Sequence, residues 1–183
     1  DRLVAAGWLT EIRRRSIEAA WHRATTETGE PPTLTADQTR VIHAVAETLE
    51  SGFSTHLLHG VTGSGKTEVY LRLIEKTITQ QRLALVLVPE ISLTPQTGAR
   101  LLGRFPEHRI AVLHSGLTQA QRHQQWSRVA DDEVDIILGA RSAVLAPLNR
   151  ARLGLVVVDE EHDQSYKQDT VPRYHGRDVA IRL

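Results

Sequence analysis

The stretch LLHGVTGSGKTEVYLRLIEKT, at positions 57–77, has the residue types and spacing of a phosphate-binding loop. Gly60, Gly65, Lys66 and Thr67 match the pattern G-x-x-x-x-G-K-[ST] between an apolar run and a helical run. Glycines let successive backbone N–H groups point at phosphate oxygens, and a helix that begins at about Lys66 adds the positive end of its dipole. The alternative is a plain strand–turn–helix with glycines for geometry. The residues predicted to bind a nucleoside triphosphate are Gly60, Thr62, Gly63, Ser64, Gly65, Lys66 and Thr67.

A phosphate loop of this kind requires a partner acid at the end of a later strand, and VVVDEEH supplies one. We predict that Asp159 and the Thr67 hydroxyl bind Mg²⁺, that Lys66 reaches the β- and γ-phosphates, and that Glu160 polarises the attacking water. Lys66, Asp159 and Glu160 are therefore the catalytic candidates. The alternative is an acidic strand end in a solvated turn. ATP hydrolysis fits better than phosphoryl transfer to another substrate, because a kinase must exclude the water that Glu160 would activate.

The elements that must position these residues alternate between strands and helices. Apolar runs predict strands in HLLHG, LALVLVP, IAVLH, VDIILG and LGLVVVDEEH, with amphipathic helical patterns between them. This alternation predicts an α/β fold of the P-loop NTPase class, with a parallel sheet covered by helices on both faces. Thr35 and Gln38, three residues apart, have the pattern of a capping box at the start of the first of these helices.

A polar segment rich in Pro and Gly, TTETGEPPT at positions 25–33, separates a short helical pattern from the alternating part. We therefore divide the chain into residues 1–33 and 34–183. The chain has no Cys, which excludes disulfides and thiolate metal sites. Its 22 Lys and Arg balance 22 Asp and Glu, so a nucleic acid would have to bind a local basic patch. No apolar run is long enough to cross a membrane, and we expect no membrane partner.

Five motifs in one order resemble the primosomal replication-restart helicases of helicase superfamily two. They are GVTGSGKTEVY at 60–70, VPEISLTPQ at 88–96, HSGL at 114–117, GARSA at 139–143 and DEEH at 159–162. The resemblance implies that residues 34–183 form the first, RecA-like ATPase lobe, truncated at its C-terminal end. Residues 1–33 would be a linker and the tail of a winged-helix-like region.

The resemblance also implies an activity, its cofactors and its partners. The activity is an ATP- and Mg²⁺-dependent 3′–5′ DNA helicase that acts on single-stranded DNA at forks and D-loops during replication restart. The implied partners are primosome proteins, single-strand-binding proteins and the second ATPase lobe of the same chain. The family carries zinc in a downstream region, which this chain would not bind. The implied location is the cytoplasm, in association with the nucleoid.

Several positions match the family's nucleotide- and DNA-contacting residues. Gln38 matches the glutamine that reads adenine, a role compatible with the capping box. The loop DQSYKQDTVPRYHGRD, at positions 163–178, resembles the family's aromatic-rich loop, which couples DNA binding to ATP hydrolysis. Aromatic rings can stack on unpaired bases, although such rings can equally pack back on the domain. Ala140 stands where the family commonly has Thr. The predicted DNA contacts are Ser92, Thr94, Arg141, Ser142, Tyr166, Lys167, Arg173 and Tyr174.

Two other functions compete with this interpretation. The first is a pseudo-motor that binds DNA structures or partners and keeps the nucleotide fold as a scaffold, against which the intact Lys66, Asp159 and Glu160 argue. The second is a translocase that moves on duplex DNA without separating its strands, whereas stacking by the loop at 163–178 requires unpaired bases. Hydrolysis in this superfamily needs charge stabilisation across a cleft between two lobes. We therefore expect the present chain alone to hydrolyse ATP slowly.

Overall fold

The computed structural model describes residues 31–61, 63–93 and 95–183. Residues 1–30 lie outside the described residues and make up most of the segment 1–33, which was predicted as the tail of a preceding region and a linker. Thr62 and Thr94 also lie outside the described residues. The helices are α1 (Ala36–Ala46), α2 (Lys66–Thr79), α3 (Pro95–Arg104), α4 (Gln119–Ala130) and α5 (Gly176–Ala180). The strands are β1 (Leu83–Leu87), β2 (Ile110–Leu113), β3 (Ile136–Gly139), β4 (Leu153–Val158), β5 (Lys167–Gln168) and β6 (Tyr174–His175). Short 3₁₀ turns span Glu90–Ser92, Arg141–Leu145 and Gln164–Tyr166.

Strands β1 to β4 form one parallel sheet in the order β2-β3-β1-β4, and β5 pairs with β6 in an antiparallel ribbon. The registers align the carboxyl ends of the parallel strands, because Leu87 lies opposite both Gly139 and Val158. The residues that follow these strands therefore emerge at one edge of the sheet, where open α/β sheets bind their ligands. The α/β prediction is confirmed.

The sheet is covered on both faces because its strands alternate their apolar side chains. In β1, Ala84 and Val86 pack with α2 and α3 in one hydrophobic cluster, while Leu85 and Leu87 belong to a second cluster with α4 and α5. All five residues of β1 are buried, as expected of a strand between two helical layers. Helix α1 packs on α2 through a third, smaller cluster that contains Ile42.

One predicted strand is absent from the sheet. Residues 56–60, HLLHG, form no strand, and Leu57 is 76% exposed. The polar groups of this stretch bond elsewhere: the His56 ring shares a hydrogen bond of 2.9 Å with the Thr48 hydroxyl, and the Gly60 carbonyl accepts from Lys66 at 2.8 Å. A strand needs a neighbouring backbone with which to pair, and among the described residues none pairs with 56–60. Strand β4 is therefore an edge of the described sheet.

Within the described part of the chain, no helix is both long and apolar enough to traverse a lipid bilayer.

Candidate nucleotide and DNA site

The phosphate-binding loop lies directly before α2. Gly63 and Gly65 have φ angles of 79° and 81°, in the left-handed region that side chains disfavour, and Gly65 is the N-cap of the helix. The Lys66 ammonium group donates to the Gly60 carbonyl at 2.8 Å and to the Val61 carbonyl at 3.1 Å. The lysine thus lies over its own loop, where phosphate oxygens would be stronger acceptors than these carbonyls.

Gln38 joins α1 to the same loop. Its side-chain amide donates to the Ser64 carbonyl at 3.3 Å, and its side-chain oxygen accepts from the Thr35 N–H at 2.9 Å. The Thr35 hydroxyl accepts from the Gln38 N–H at 3.2 Å, which completes the predicted capping box. An additional methyl group on Gly65 would collide with the Gln38 amide, so the two segments touch. The adenine contact of Gln38 stays a prediction.

Asp159 follows β4 at the carboxyl edge of the sheet and is half-buried. Its N–H donates to the Leu87 carbonyl at 2.9 Å, which holds the backbone, and its carboxylate accepts from the Glu160 N–H at 3.1 Å. Burial raises the pKa of Asp159, and the neighbouring Glu160 carboxylate raises it further. The hydrogen bond from the Glu160 N–H, the Lys66 ammonium and the Tyr70 hydroxyl act in the opposite direction. A cation beside this carboxylate would offset its desolvation.

Glu160 has a φ angle of 46°, a left-handed conformation that costs energy in a residue other than glycine. Its side chain is exposed beside the half-buried Asp159. The two adjacent carboxylates therefore have different environments, one facing the interior and the other facing solvent. This is the division that the predicted roles require, since a water-polarising base must reach solvent.

A small cavity of about 180 Å³ lies between α2, the Glu90–Ser92 turn and α3. Its lining includes Thr67, Tyr70 and Asp159, so both predicted magnesium ligands line the same cavity. Hydroxyl and carboxylate oxygens are the donors that Mg²⁺ prefers, and the donor set therefore fits the ion. Tyr70 was not among the sequence-predicted site residues. Its spacing in the sequence could have indicated it, because a residue three positions after Thr67 lies on the same face of a helix.

Arg141 holds the loop at 163–178 against the sheet edge. Its guanidinium donates to the Ser165 carbonyl at 3.0 Å and also to the Lys167 carbonyl, and it lies 5.9 Å from the centre of the Tyr174 ring. Arg141 thus uses one guanidinium nitrogen, Nη1, for both of these hydrogen bonds to the loop. Ser142, the next residue, is exposed at the same edge.

Tyr166 is fully buried, unlike the other predicted DNA contacts of the loop. Its hydroxyl donates to the Asp159 carbonyl at 2.6 Å. The ring is therefore unavailable for stacking on a base in this conformation, and the alternative of packing on the domain is the one observed. The remaining predicted contacts of the loop are exposed or half-buried: Lys167, Arg173 and Tyr174.

Comparison with known proteins identifies the family. The model for DEAD/DEAH box helicases matches residues 35–177. The chain is 49% identical over 154 residues to the replication restart protein PriA of Bacillus subtilis, covering 84% of this chain and 19% of that protein. It is 42% identical over 187 residues to the protein of that name in Haemophilus influenzae, covering 99% of this chain and 25% of that protein.

A third relative of the same name, from Treponema pallidum, is 47% identical over 148 residues, with 81% and 22% of the two chains covered. The chain spans about a fifth to a quarter of the length of these relatives. The resemblance inferred from the five motifs is thus confirmed. Because the helicase model covers both the phosphate-binding loop and the acidic motif, the chain belongs to the DEAD/DEAH box helicase family.

Proposed function

We propose that the chain is the first ATPase lobe of a 3′–5′ DNA helicase that acts in replication restart. One observation carries this proposal: the loop at 163–178 is attached to Asp159 through the Tyr166 hydroxyl, at 2.6 Å. A predicted DNA-contacting segment and a predicted magnesium ligand are therefore joined by a single hydrogen bond. The names of the relatives support the same role.

The nucleotide half of the site would work through the loop and the acidic motif. The backbone N–H groups at 63–67 and the Lys66 ammonium would bind the phosphates, and Gln38 would contact adenine. Thr67 and Asp159 would hold Mg²⁺, which when bound neutralises charge on the β- and γ-phosphates. Glu160, exposed beside Asp159, would orient the attacking water.

The DNA half would use the polar groups at the carboxyl edge of the sheet. Ser92 and Ser142 can donate to phosphate oxygens, and the exposed Lys167 and Arg173 can pair with them. In this proposal Arg141 fixes the loop and Tyr174 offers a half-buried ring at its surface. Binding of a strand would shift the loop, and the Tyr166 hydroxyl would transmit that shift to Asp159.

The full activity would require more protein than this chain supplies. A second ATPase lobe would contribute the positive charge that stabilises the transition state across the cleft. Forked DNA, primosome proteins and single-strand-binding proteins would be the partners, at chromosomal DNA in the cytoplasm. Alone, this chain would bind ATP·Mg²⁺ and hydrolyse it far more slowly than the complete helicase.

The test is the Lys66→Ala substitution in a full-length protein that carries this chain. Unwinding of a duplex with a 3′ single-stranded tail should disappear, while a 5′-tailed duplex should be unwound by neither protein. Lys76→Ala is the matched control, because Lys76 is an exposed lysine near the other end of α2. Unwinding that survives Lys66→Ala would instead favour the pseudo-motor. Movement on duplex DNA without strand separation would favour the translocase.

A further inference from the structure

The Tyr70 phenol lies between the two groups that the proposed function assigns to magnesium. Its hydroxyl is 3.5 Å from a carboxylate oxygen of Asp159, and the Thr67 side chain lines the same cavity. It reaches this place because Tyr70 is one helical turn beyond Lys66 and Thr67 on α2. The hydroxyl therefore contacts one predicted ligand and shares a cavity with the other.

The ring that carries this hydroxyl is fixed by packing. Tyr70 is half-buried and packs against the hydrophobic cluster between the sheet, α2 and α3, which contains Leu71 and Leu101. A tyrosine side chain has few rotatable bonds, so burial of its ring leaves the hydroxyl little freedom. The hydroxyl position is thus set by the core and not by the ligands themselves.

The phenol acts as a donor toward the carboxylate. A phenol hydroxyl keeps its proton at neutral pH, where an ionised carboxylate can only accept. The hydrogen bond has one direction, from Tyr70 to Asp159.

We propose that Tyr70 is a positioning residue, which orients the Asp159 carboxylate for Mg²⁺. This inference rests on the proposed function, since it assumes that Asp159 is a magnesium ligand. Residues that hydrogen-bond to metal ligands set the orientation of those ligands, and their removal costs about 10- to 100-fold in metal affinity. Because the hydrogen bond to Asp159 is long, we expect the lower end of that range.

The test is Tyr70→Phe in the 183-residue chain, with a fluorescent ADP analogue as the probe. Affinity for the analogue is measured first in EDTA and then during a Mg²⁺ titration. We expect unchanged affinity in EDTA and a Mg²⁺ concentration for half-saturation that rises about tenfold. Thr77→Val is the matched control, because it removes a buried hydroxyl from α2 that donates within the helix, to the Leu73 carbonyl.

Three outcomes would overturn the inference while leaving the proposed function intact: an unchanged Mg²⁺ half-saturation, an equal loss of affinity with and without Mg²⁺, or an equal shift in Thr77→Val. Failure of the wild-type chain to bind the analogue at all would refute the proposed function instead. Thermal unfolding of each variant establishes that the comparison is between folded proteins.

A second measurement uses the wild-type chain and does not depend on a variant that folds. The chain contains three tyrosines, so NMR of ring-¹³C-labelled tyrosine gives few signals. The Tyr70 signal should move when Mg²⁺ is added to the ADP complex, and the Tyr174 signal should stay in place. A Tyr70 signal that does not move on addition of Mg²⁺ to the nucleotide complex would contradict the inference.

Discussion

Removal of the Tyr166 hydroxyl separates two roles that the sequence left open for this residue. Tyr166→Phe keeps the ring, which is the part that would stack on a base, and deletes the group that donates to the Asp159 carbonyl at 2.6 Å. If the role of Tyr166 is to stack its ring on a base, Tyr166→Phe should have little effect, because the ring is kept. If the hydroxyl positions the acidic motif, the substitution should disturb the position of Asp159 and leave DNA affinity unchanged.

The magnitude follows from burial. Tyr166 has no exposed surface, so the Asp159 carbonyl would lose this hydrogen bond in a partly buried site. An unsatisfied buried acceptor costs about 1–3 kcal/mol. For a chain of this length, a loss of that size lowers the melting temperature by about 2–12 °C. Burial of the ring itself is unchanged, so no cavity contribution is added.

The assay is thermal or urea unfolding of the chain, with Tyr174→Phe as the control. The Tyr174 ring is half-buried at the surface of the loop, and loss of its hydroxyl should change stability little. In a full-length protein that carries the chain, Tyr166→Phe should bind single-stranded DNA normally but lose most of the DNA stimulation of ATP hydrolysis. Wild-type stability together with weakened DNA binding would refute the positioning role.

Two further substitutions test the site and its support. Asp159→Asn should stabilise the ligand-free chain at neutral pH, because burial and the Glu160 carboxylate raise the pKa of Asp159 in the folded state. The ionised carboxylate therefore disfavours the folded state, and the neutral amide does not. In urea titrations below the ordinary carboxyl pKa, where Asp159 is protonated in both states, the gain in stability over wild type should disappear. Gly139→Ala should destabilise the chain by about 1–3 kcal/mol in the same assay, because the new methyl group would lie 2.5 Å from the Ala143 side chain and 2.7 Å from the Leu113 carbonyl. A Gly139→Ala chain as stable as wild type would contradict the packing at the end of β3.

The parts of the fold that sequence patterns predicted are those with strong local signals. Continuous apolar runs gave β1 and β4, and the Thr35–Gln38 spacing gave the start of α1. The prediction of a strand at HLLHG was wrong, because apolar content alone does not supply a strand with which to pair. Its carbonyl at Gly60 bonds to Lys66 instead of to a neighbouring strand.

The sequence motifs of the site could be predicted, but the contacts between its side chains could not. The spacing G-x-x-x-x-G-K-T and the acidic pair after β4 could be read directly, since each depends on residues adjacent in sequence. The contacts of Tyr70 and Tyr166 with Asp159 join residues far apart along the chain or across a turn. Composition gave a loop that mixes aromatic and cationic side chains, but only packing decides which ring faces the core and which faces solvent.

The most direct measurement is a crystal structure of the chain with ADP and Mg²⁺. We expect phosphates bound by the N–H groups at 63–67, the Lys66 ammonium withdrawn from the Gly60 and Val61 carbonyls toward them, and Mg²⁺ held by Thr67 and Asp159. A structure in which Lys66 stays on its own loop, or in which Asp159 faces away from the bound nucleotide, would contradict the motor-lobe assignment.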